Sequence, residues 1–399
     1  MRILLLCNKS PWPPKDGGAA ATLNIIKGLT YCNASVTVLA MITSKHFVKP
    51  EEIPEELSKS TDYHLINVNT RINPLRLVLN HLFSSKPYNL ERYWSQKFCA
   101  ELKRIIKNNF DVVQIEGLAM YHYLSVVRSL ISVPVVYRPH NIENIIWSGL
   151  KAEEKNIIKK NYFNTLAIRI KKIEKSIINN FDAIIPISTN DLNWFRQEGL
   201  MKPSLVLLPG FDPGVNFEYI PSTSNKVFFI GALDWRPNIY GLIWFINNVW
   251  PIVINKIPDA EFIIAGRNAS KNTISHFLGT KISFSGEVES SFSFIKDKTV
   301  MVVPLFSGSG IRLKILEGMN MGKCIVATPL AAEGLEYDNG KNIFIAPDAA
   351  SFADHIVKLL LNADLRRATG ENAIKNVRKN YNILASSEQL INFYRELTA

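Results

Sequence analysis

The sequence predicts an α/β protein of two parallel-sheet domains, and three observations carry that reading. Short apolar runs alternate with segments whose apolar residues recur at helical spacing, the pattern of repeated strand–helix–strand units. The chain has 399 residues, more than one hydrophobic core usually serves. The alternation restarts around S-T-S-N at 222–225, so the domains are set at 1–217 and 218–381, and a last helix, about 382–399, is available to pack back on the first.

Residues 2–7 form a continuous apolar run, read as a buried first strand and not a signal peptide, since no small-residue cleavage site follows. The next loop ends in Gly17-Gly18 ahead of a helix that carries Leu23, Ile26 and Leu29 on one face. Glycines at such a place let backbone N–H groups approach a phosphate. Ser35–Thr43 is the second strand, and residues 44–90 read as surface loops and short elements. Residues 71–107 hold eight Lys/Arg against two acids, interleaved with Leu75, Leu82, Phe83, Tyr93 and Trp94. That composition fits a surface that docks on anionic lipid headgroups, and equally a pair of ordinary helices with solvated lysines and core aromatics.

Strands at Val112–Glu116 and Val133–Tyr137 lead to the turn R-P-H-N-I-E at 138–143. His140 stands at the end of a buried parallel strand, where such sheets bind ligands, so it is a candidate substrate contact. Residues 150–180 read as one long helix of net charge +5. A strand at Ala183–Ile187, a helix starting at Ser188 to Asp191 and a strand at Leu205–Leu208 complete the first half.

The second half reads as strand Val227–Ile230, Gly231, helix Ile239–Asn255, strand Glu261–Ala265 ending in Gly266-Arg267, and strand Ile282–Ser285. Then comes the most informative stretch. A strand at Thr299–Leu305 opens into a loop with Ser307, Gly308, Ser309, Gly310 and Ile311. A helix follows from Arg312, with Leu313, Ile315, Leu316 and Met319 facing inward, and then a strand at Cys324–Thr328. The loop, the electropositive helix start and the cations Arg312 and Lys314 suit a diphosphate. Glu317, in the first turns, suits the hydroxyls of a ribose. The loop alone fits a plain βαβ crossover with a solvated Arg and Lys just as well. Residues 351–380 and Ala385–Leu397 are helical.

Hydrophobic residues make up 47% of the chain, enough for real cores, and no uncharged apolar run reaches the roughly 18 residues of a spanning helix. The four cysteines, Cys7, Cys32, Cys99 and Cys324, lack C-x-x-C spacing, which argues against a zinc site or a disulfide framework and suits a reducing cytosol. The net charge is +11, of which residues 1–217 carry +9. A basic first half suggests an anionic partner: a phospholipid surface, a phosphorylated acceptor or nucleic acid. A merely basic soluble protein competes with these. No helix-turn-helix, zinc-finger or RNA-binding signature is present, so nucleic acid is not expected.

P-P-K-D-G-G at 13–18, R-P-H-N-I-E at 138–143, I-S-T-N-D at 187–191, F-I-G-A-L-D-W-R-P-N at 229–238, I-A-G-R at 264–267 and G-S-G-I-R-L-K-I-L-E-G-M at 308–319 together resemble the family-4 retaining glycosyltransferases. The resemblance implies the GT-B fold, two Rossmann-like parallel-sheet domains facing an interdomain cleft. It implies transfer of a sugar, with retention, from a nucleotide-sugar donor to a glycan, lipid-linked or other hydroxyl acceptor. Glu317 matches the second glutamate of the family's E-x7-E motif and would hold the donor ribose, while the first falls at Ser309. His140 matches the histidine near the donor sugar, and Gly17 and Gly18 match the first-loop glycines.

Gly231, Arg267 and the Ser307–Ile311 loop fall on the donor side by the same likeness, with Asp16, Asn141 and Glu143 as acceptor-side candidates. The usual Arg and Lys at the start of the second domain are replaced, with Ala232 after Gly231 and Asn238 near the lysine position. Arg312 and Lys314 are therefore expected to supply the diphosphate charge. The chain has no D-x-D tripeptide, and neither a metal nor a cofactor is expected. A cytoplasmic enzyme, peripheral on the inner face of the membrane, is the location this implies. Two rivals are a nucleotide-sugar epimerase or hydrolase on the same fold, and a non-catalytic nucleotide- or nucleic-acid-binding protein.

Overall fold

The computed structural model describes residues 1–44, 46–211, 218–222, 224–308 and 310–399. The chain divides into two units, Met1–Asp212 with Ile383–Ala399, and Pro213–Asn382. The boundary expected at 217/218 abuts residues 212–217, which lie outside the described residues, as do Thr223 and Ser309.

In the first unit, six apolar or alternating runs become strands: β1 (Arg2–Cys7), β2 (Ser35–Ile42), β3 (Thr61–Asn67), β4 (Val112–Glu116), β5 (Val135–Arg138) and β6 (Ala183–Ile184). They form one sheet in the order β3-β2-β1-β4-β5-β6, every pair parallel. Both faces are covered, so the central strands must be apolar on both sides, and Ile3 to Leu6 are fully buried. The order reverses between β1 and β4, whose ends Cys7 and Glu116 lie side by side. In doubly wound sheets, ligands bind outside the carboxyl ends at such a reversal.

Helix α1 (Gly17–Tyr31) starts just after that edge, capped by Asp16, whose side chain accepts from Ala19 N–H at 2.9 Å. The C-terminal helix, Ile383–Thr398, belongs to this unit and lies along α1. A Cβ on Gly28 would come within 1.8 Å of Ser387 Oγ, so glycine is what permits the approach. Tyr394 from the same helix donates its hydroxyl to Gln114 of β4.

The second unit repeats the plan with β7 (Lys226–Ile230), β8 (Glu261–Ala265), β9 (Ile282–Gly286), β10 (Val300–Val303), β11 (Cys324–Ala327) and β12 (Phe344–Ile345). Its sheet is also parallel, in the order β12-β11-β10-β7-β8-β9, and it reverses between β7 and β10. Trp250, Phe245, Phe262 and Phe352 pack together in its core.

The structure corrects several sequence expectations. Residues 61–67 are an edge strand within the stretch read as loops, because a half-exposed edge needs no continuous apolar run. The long helix at 150–180 is two, Glu143–Glu153 and Ile157–Ile177, broken where Asn156 caps the second by accepting from Lys159 N–H. Leu205–Leu208 forms no strand, only an isolated bridge at Ser204. The helix after β7 starts at Arg236 and runs through a π-turn at Phe245–Val249. Residues 351–380 belong to two helices that meet at Asn362. Of the basic segment 71–107, the part at 96–105 is ordinary core helix, with Phe98, Leu102 and Ile105 buried.

Gly241 sits in the helix Arg236–Trp244 directly against the chain that leaves β10. A Cβ there would lie 1.6 Å from the Pro304 carbonyl oxygen, a backbone atom that cannot step aside. Gly241→Ala is expected to destabilise the second unit by about 3 kcal/mol in urea unfolding. Glu289→Ala, exposed on the same unit, should stay within about 0.5 kcal/mol of the parent.

Candidate functional site

At the reversal of the first sheet, β4 ends in a carboxylate that the structure removes from water. Glu116 accepts from Arg138 Nη1 at 3.0 Å, His140 Nε2 at 2.6 Å, Thr22 Oγ1 at 2.9 Å and Gln114 Nε2. Burial alone would raise its pKa, but Arg138, His140 and Gln114 together outweigh burial and hold it at about 2. A charged acceptor requires a donor opposite it, so His140 carries its proton on Nε2. Burial keeps the imidazole below its ordinary value of 6.5 against the pull of Glu116, so the ring is neutral at pH 7. Nδ1 is therefore a hydrogen-bond acceptor, and it points toward Gly18, where a Cβ would come within 3.1 Å.

Lys9 reaches the same point: its ammonium would be 3.0 Å from a Cβ on Gly18. It is fixed by Asp16 at 2.6 Å, and His46 holds the other oxygen of Asp16 at 2.9 Å. Gly17, Gly18, Asp16 and His140, picked from separate sequence motifs, thus converge with Lys9 and Glu116, which sequence reasoning passed over. Glu116 had a visible signal, a carboxylate ending an apolar strand just before Gly117, but its meaning depends on three partners distant in sequence. Asn141 lies in the turn after β5. Glu143 opens the next helix; its N–H donates to Glu174 at 2.8 Å, and burial raises its carboxyl to about 7 although Lys9 opposes this.

The reversal of the second sheet gathers cations instead. The loop after β10 starts where Leu305 N–H donates to Thr328 Oγ1 at 3.1 Å, and that hydroxyl donates back to the Leu305 carbonyl. Ser307 Oγ is buried and has no hydrogen-bond partner among the described residues. Gly308 (φ +114°) and Gly310 (φ +78°) take left-handed conformations that other residues rarely adopt. Arg312 bonds the Gly310 carbonyl, and its Nη2 would be 3.2 Å from a Cβ on Gly308. Helix Leu313–Asn320 follows.

Lys314 projects from that helix to β7. Its ammonium donates to Asn238 Oδ1 at 3.0 Å and lies 4.2 Å from the Phe229 ring centre. Asn238 Nδ2 in turn donates to the Ala232 carbonyl at 2.8 Å. Gly231 leaves room for both, since a Cβ would come within 3.1 Å of Asn238 Nδ2 and 3.2 Å of Lys314 Nζ. Arg267, half-buried after β8, is tied in by its carbonyl, which accepts from Leu233 N–H at 2.9 Å. Burial, aided by Arg312, lowers Lys314 to about 7. Burial likewise raises Glu317 to about 7, with Lys314 opposing. Ile311, half-buried, follows Gly310, and Ser309 lies outside the described residues.

Residues 224–362 match the family described as Glycosyl transferases group 1. Both sheets, with their helices, align with sucrose-phosphate synthase from Thermosynechococcus elongatus at a TM-score of 0.73, over 100% of this chain and 99% of that one, at 14% identity. The chain is a glycosyltransferase of the GT-B type. HepE of Anabaena, solved in complex with UDP-glucose, aligns at a TM-score of 0.64 over 99% of the glycosyltransferase and 100% of HepE, with 15% identity. In sequence, the glycosyltransferase is 25% identical over 390 residues to an uncharacterized 44.6 kDa protein in the cps region of Klebsiella pneumoniae, covering 95% of this chain and 96% of that protein. Among the described residues, no group of three or more His, Cys, Asp or Glu side chains could hold a metal ion, and no helix is long and apolar enough to cross a membrane.

Glu116→Gln tests the buried carboxylate of the glycosyltransferase. A folded pKa near 2 against an ordinary 4.5 means that this group adds stability above about pH 4.5, lost as pH falls toward 2. The variant should lose about 3–5 kcal/mol at pH 7, because Arg138 is left buried without its counter-charge. Its stability should also fall less steeply than the parent's between those pH values. Urea unfolding across the acid range measures both effects.

Proposed function

We propose that the enzyme moves a sugar, with retention, from a nucleotide-sugar donor to a hydroxyl of a glycan or lipid-linked acceptor, as a family-4 member would. The observation that carries the donor assignment is the convergence of Lys314, Arg312, Gly231 and the Gly308–Gly310 loop at the reversal of the second sheet. A diphosphate there meets two cations, close-approaching backbone and a helix start. Glu317 is assigned to the ribose and Arg267 to the neighbourhood of the base. In the first unit, the neutral imidazole of His140, accepting at Nδ1, suits a sugar hydroxyl better than a phosphate oxygen.

The chemistry follows from charge. As the anomeric C–O bond breaks, its electron pair passes to the departing phosphate oxygen. Arg312, Lys314 and the helix start are aimed at that growing charge and lower the barrier. The acceptor oxygen attacks the anomeric carbon from the face the leaving group vacates, and its proton passes to the departing phosphate oxygen. UDP-sugars are the first donors to try, given the HepE complex, and a surface polysaccharide is the acceptor class suggested by the cps-region relative. A cytoplasmic position against an anionic membrane face completes the reading.

A thermal-shift screen with UDP-, GDP- and dTDP-sugars identifies the donor, since a ligand of the folded state raises its stability. Lys314 at about 7 is mostly neutral at pH 8, and a diphosphate favours its charged form. Glu317 at about 7 responds in the same direction, since a nearby anion favours its protonated form. Binding at pH 8 should therefore take up roughly one to two protons, and affinity should fall as pH rises above about 7. Titration calorimetry in buffers of different ionisation heat reads that uptake. Arg312→Ala and Lys314→Ala should each weaken donor binding by roughly 10–100-fold; unchanged affinity in both would end the diphosphate assignment.

A further inference from the structure

Pro74–Phe83 is a helix with no buried residue, although six of its ten side chains are large and apolar. Phe83 is 82% exposed, and Leu75, Val78, Leu79 and Leu82 are exposed with it. A core helix buries one stripe; this one has nothing of its own unit over its apolar side. It is nonetheless held in place. Arg169 of helix Ile157–Ile177 donates to the carbonyls of His81 at 2.8 Å and Asn80 at 3.2 Å, and the His81 ring lies 5.5 Å from Tyr162. One turn before Tyr162, the same helix exposes Ile157 (83%) and Ile158 (81%). Two helix ends thus present apolar side chains around one pinned junction.

The charge around this junction is mostly positive, the exceptions being Glu154, whose carboxylate accepts from Asn156 N–H at 3.0 Å, its neighbour Glu153, and Glu91, 4.0 Å from Lys86. Arg71 and Lys86 flank the first helix, Arg76 lies on it, and Lys155, Lys159 and Lys160 surround the start of the second, all exposed. No Asp or Glu occurs from 71 to 86 or from 155 to 173. Exposed aliphatic and aromatic side chains ringed by lysine and arginine match a bilayer boundary, where apolar groups enter the acyl region and cations meet phosphate headgroups. A protein partner of ordinary composition would leave these cations unmatched.

We propose that the face built from helix 74–83 and the start of helix 157–177 docks the enzyme on an anionic phospholipid bilayer, lying in the interface plane without crossing it. The inference gives the membrane location proposed above a defined contact, and it is independent of the sugar chemistry. The test is co-sedimentation of the full chain with vesicles of phosphatidylcholine alone or mixed with phosphatidylglycerol, at low and high salt. Pelleting with the mixed vesicles only, weakened by salt, is expected.

The triple variant Leu82→Gln, Phe83→Gln, Ile158→Gln and the pair Lys159→Gln, Lys160→Gln should each cut vesicle binding at least about tenfold. All five positions are exposed, so melting temperature and binding of the donor found in the screen should not change. Parent protein that stays in the supernatant with both vesicle types, or a triple variant that pellets as the parent does, overturns the docking face. A concentration-dependent dimer in sedimentation, abolished by the triple variant while vesicle binding persists, also overturns it and assigns the face to self-association. Donor binding that survives loss of vesicle binding leaves the transferase reading standing; the reverse outcome removes that reading and keeps the docking face.

Discussion

Charge withdrawn from water at the carboxyl edge of a parallel sheet must be answered by neighbouring groups, and this constraint shapes both units. In the first, the answer is internal. Glu116 is surrounded by Arg138, His140, Thr22 and Gln114, and it remains ionised in spite of burial. In the second, Lys314 has a neutral amide and an aromatic face as its nearest support, and burial pulls its proton affinity down. One edge is electrostatically settled and can fix the orientation of a histidine. The other holds a cation whose charge is only weakly supported by its neighbours. Water exclusion of the same kind therefore yields a fully partnered, ionised carboxylate in one sheet and a lysine with lowered proton affinity in the other.

Glycine is the means by which each edge is assembled. Gly231 and Gly18 mark points where a side chain would displace the cation or imidazole that comes to rest there. Gly308 and Gly310 allow the loop after β10 to turn through left-handed conformations while Arg312 folds back against it. The cation that meets Asn238 comes from 76 residues further along the chain, so its charge reaches the end of β7 from outside that strand's own loop. The edge is charged in space, though the local sequence there is neutral.

Much of this was legible in the residues. Buried parallel strands are continuous apolar runs, and the central strands of both sheets were found that way, as was the glycine loop ahead of Leu313. The edge strand β3 was not, because T-D-Y-H-L-I-N carries the polar residues an unpaired edge tolerates. The break at Asn156 was hidden because neither Gly nor Pro marks it and Lys155-Asn156 reads as ordinary helix sequence. Lys9 and Glu116 were passed over for a different reason. Neither belongs to a motif, and each matters through partners that only the folded sheet brings near. His140, Lys314 and Arg312 could be singled out from sequence as candidates. That His140 is an acceptor, and that Lys314 pairs with Asn238, could not.

The return of the last helix to the first unit has a consequence for synthesis. Tyr394 bonds Gln114, and Gln114 bonds Glu116, so the carboxylate at the edge of the first sheet is fully braced only after residues 383–399 have left the ribosome. The second unit, emerging entirely between the two parts of the first, has all its strands available earlier. During translation the second unit can therefore mature while the first still waits for its closing segment.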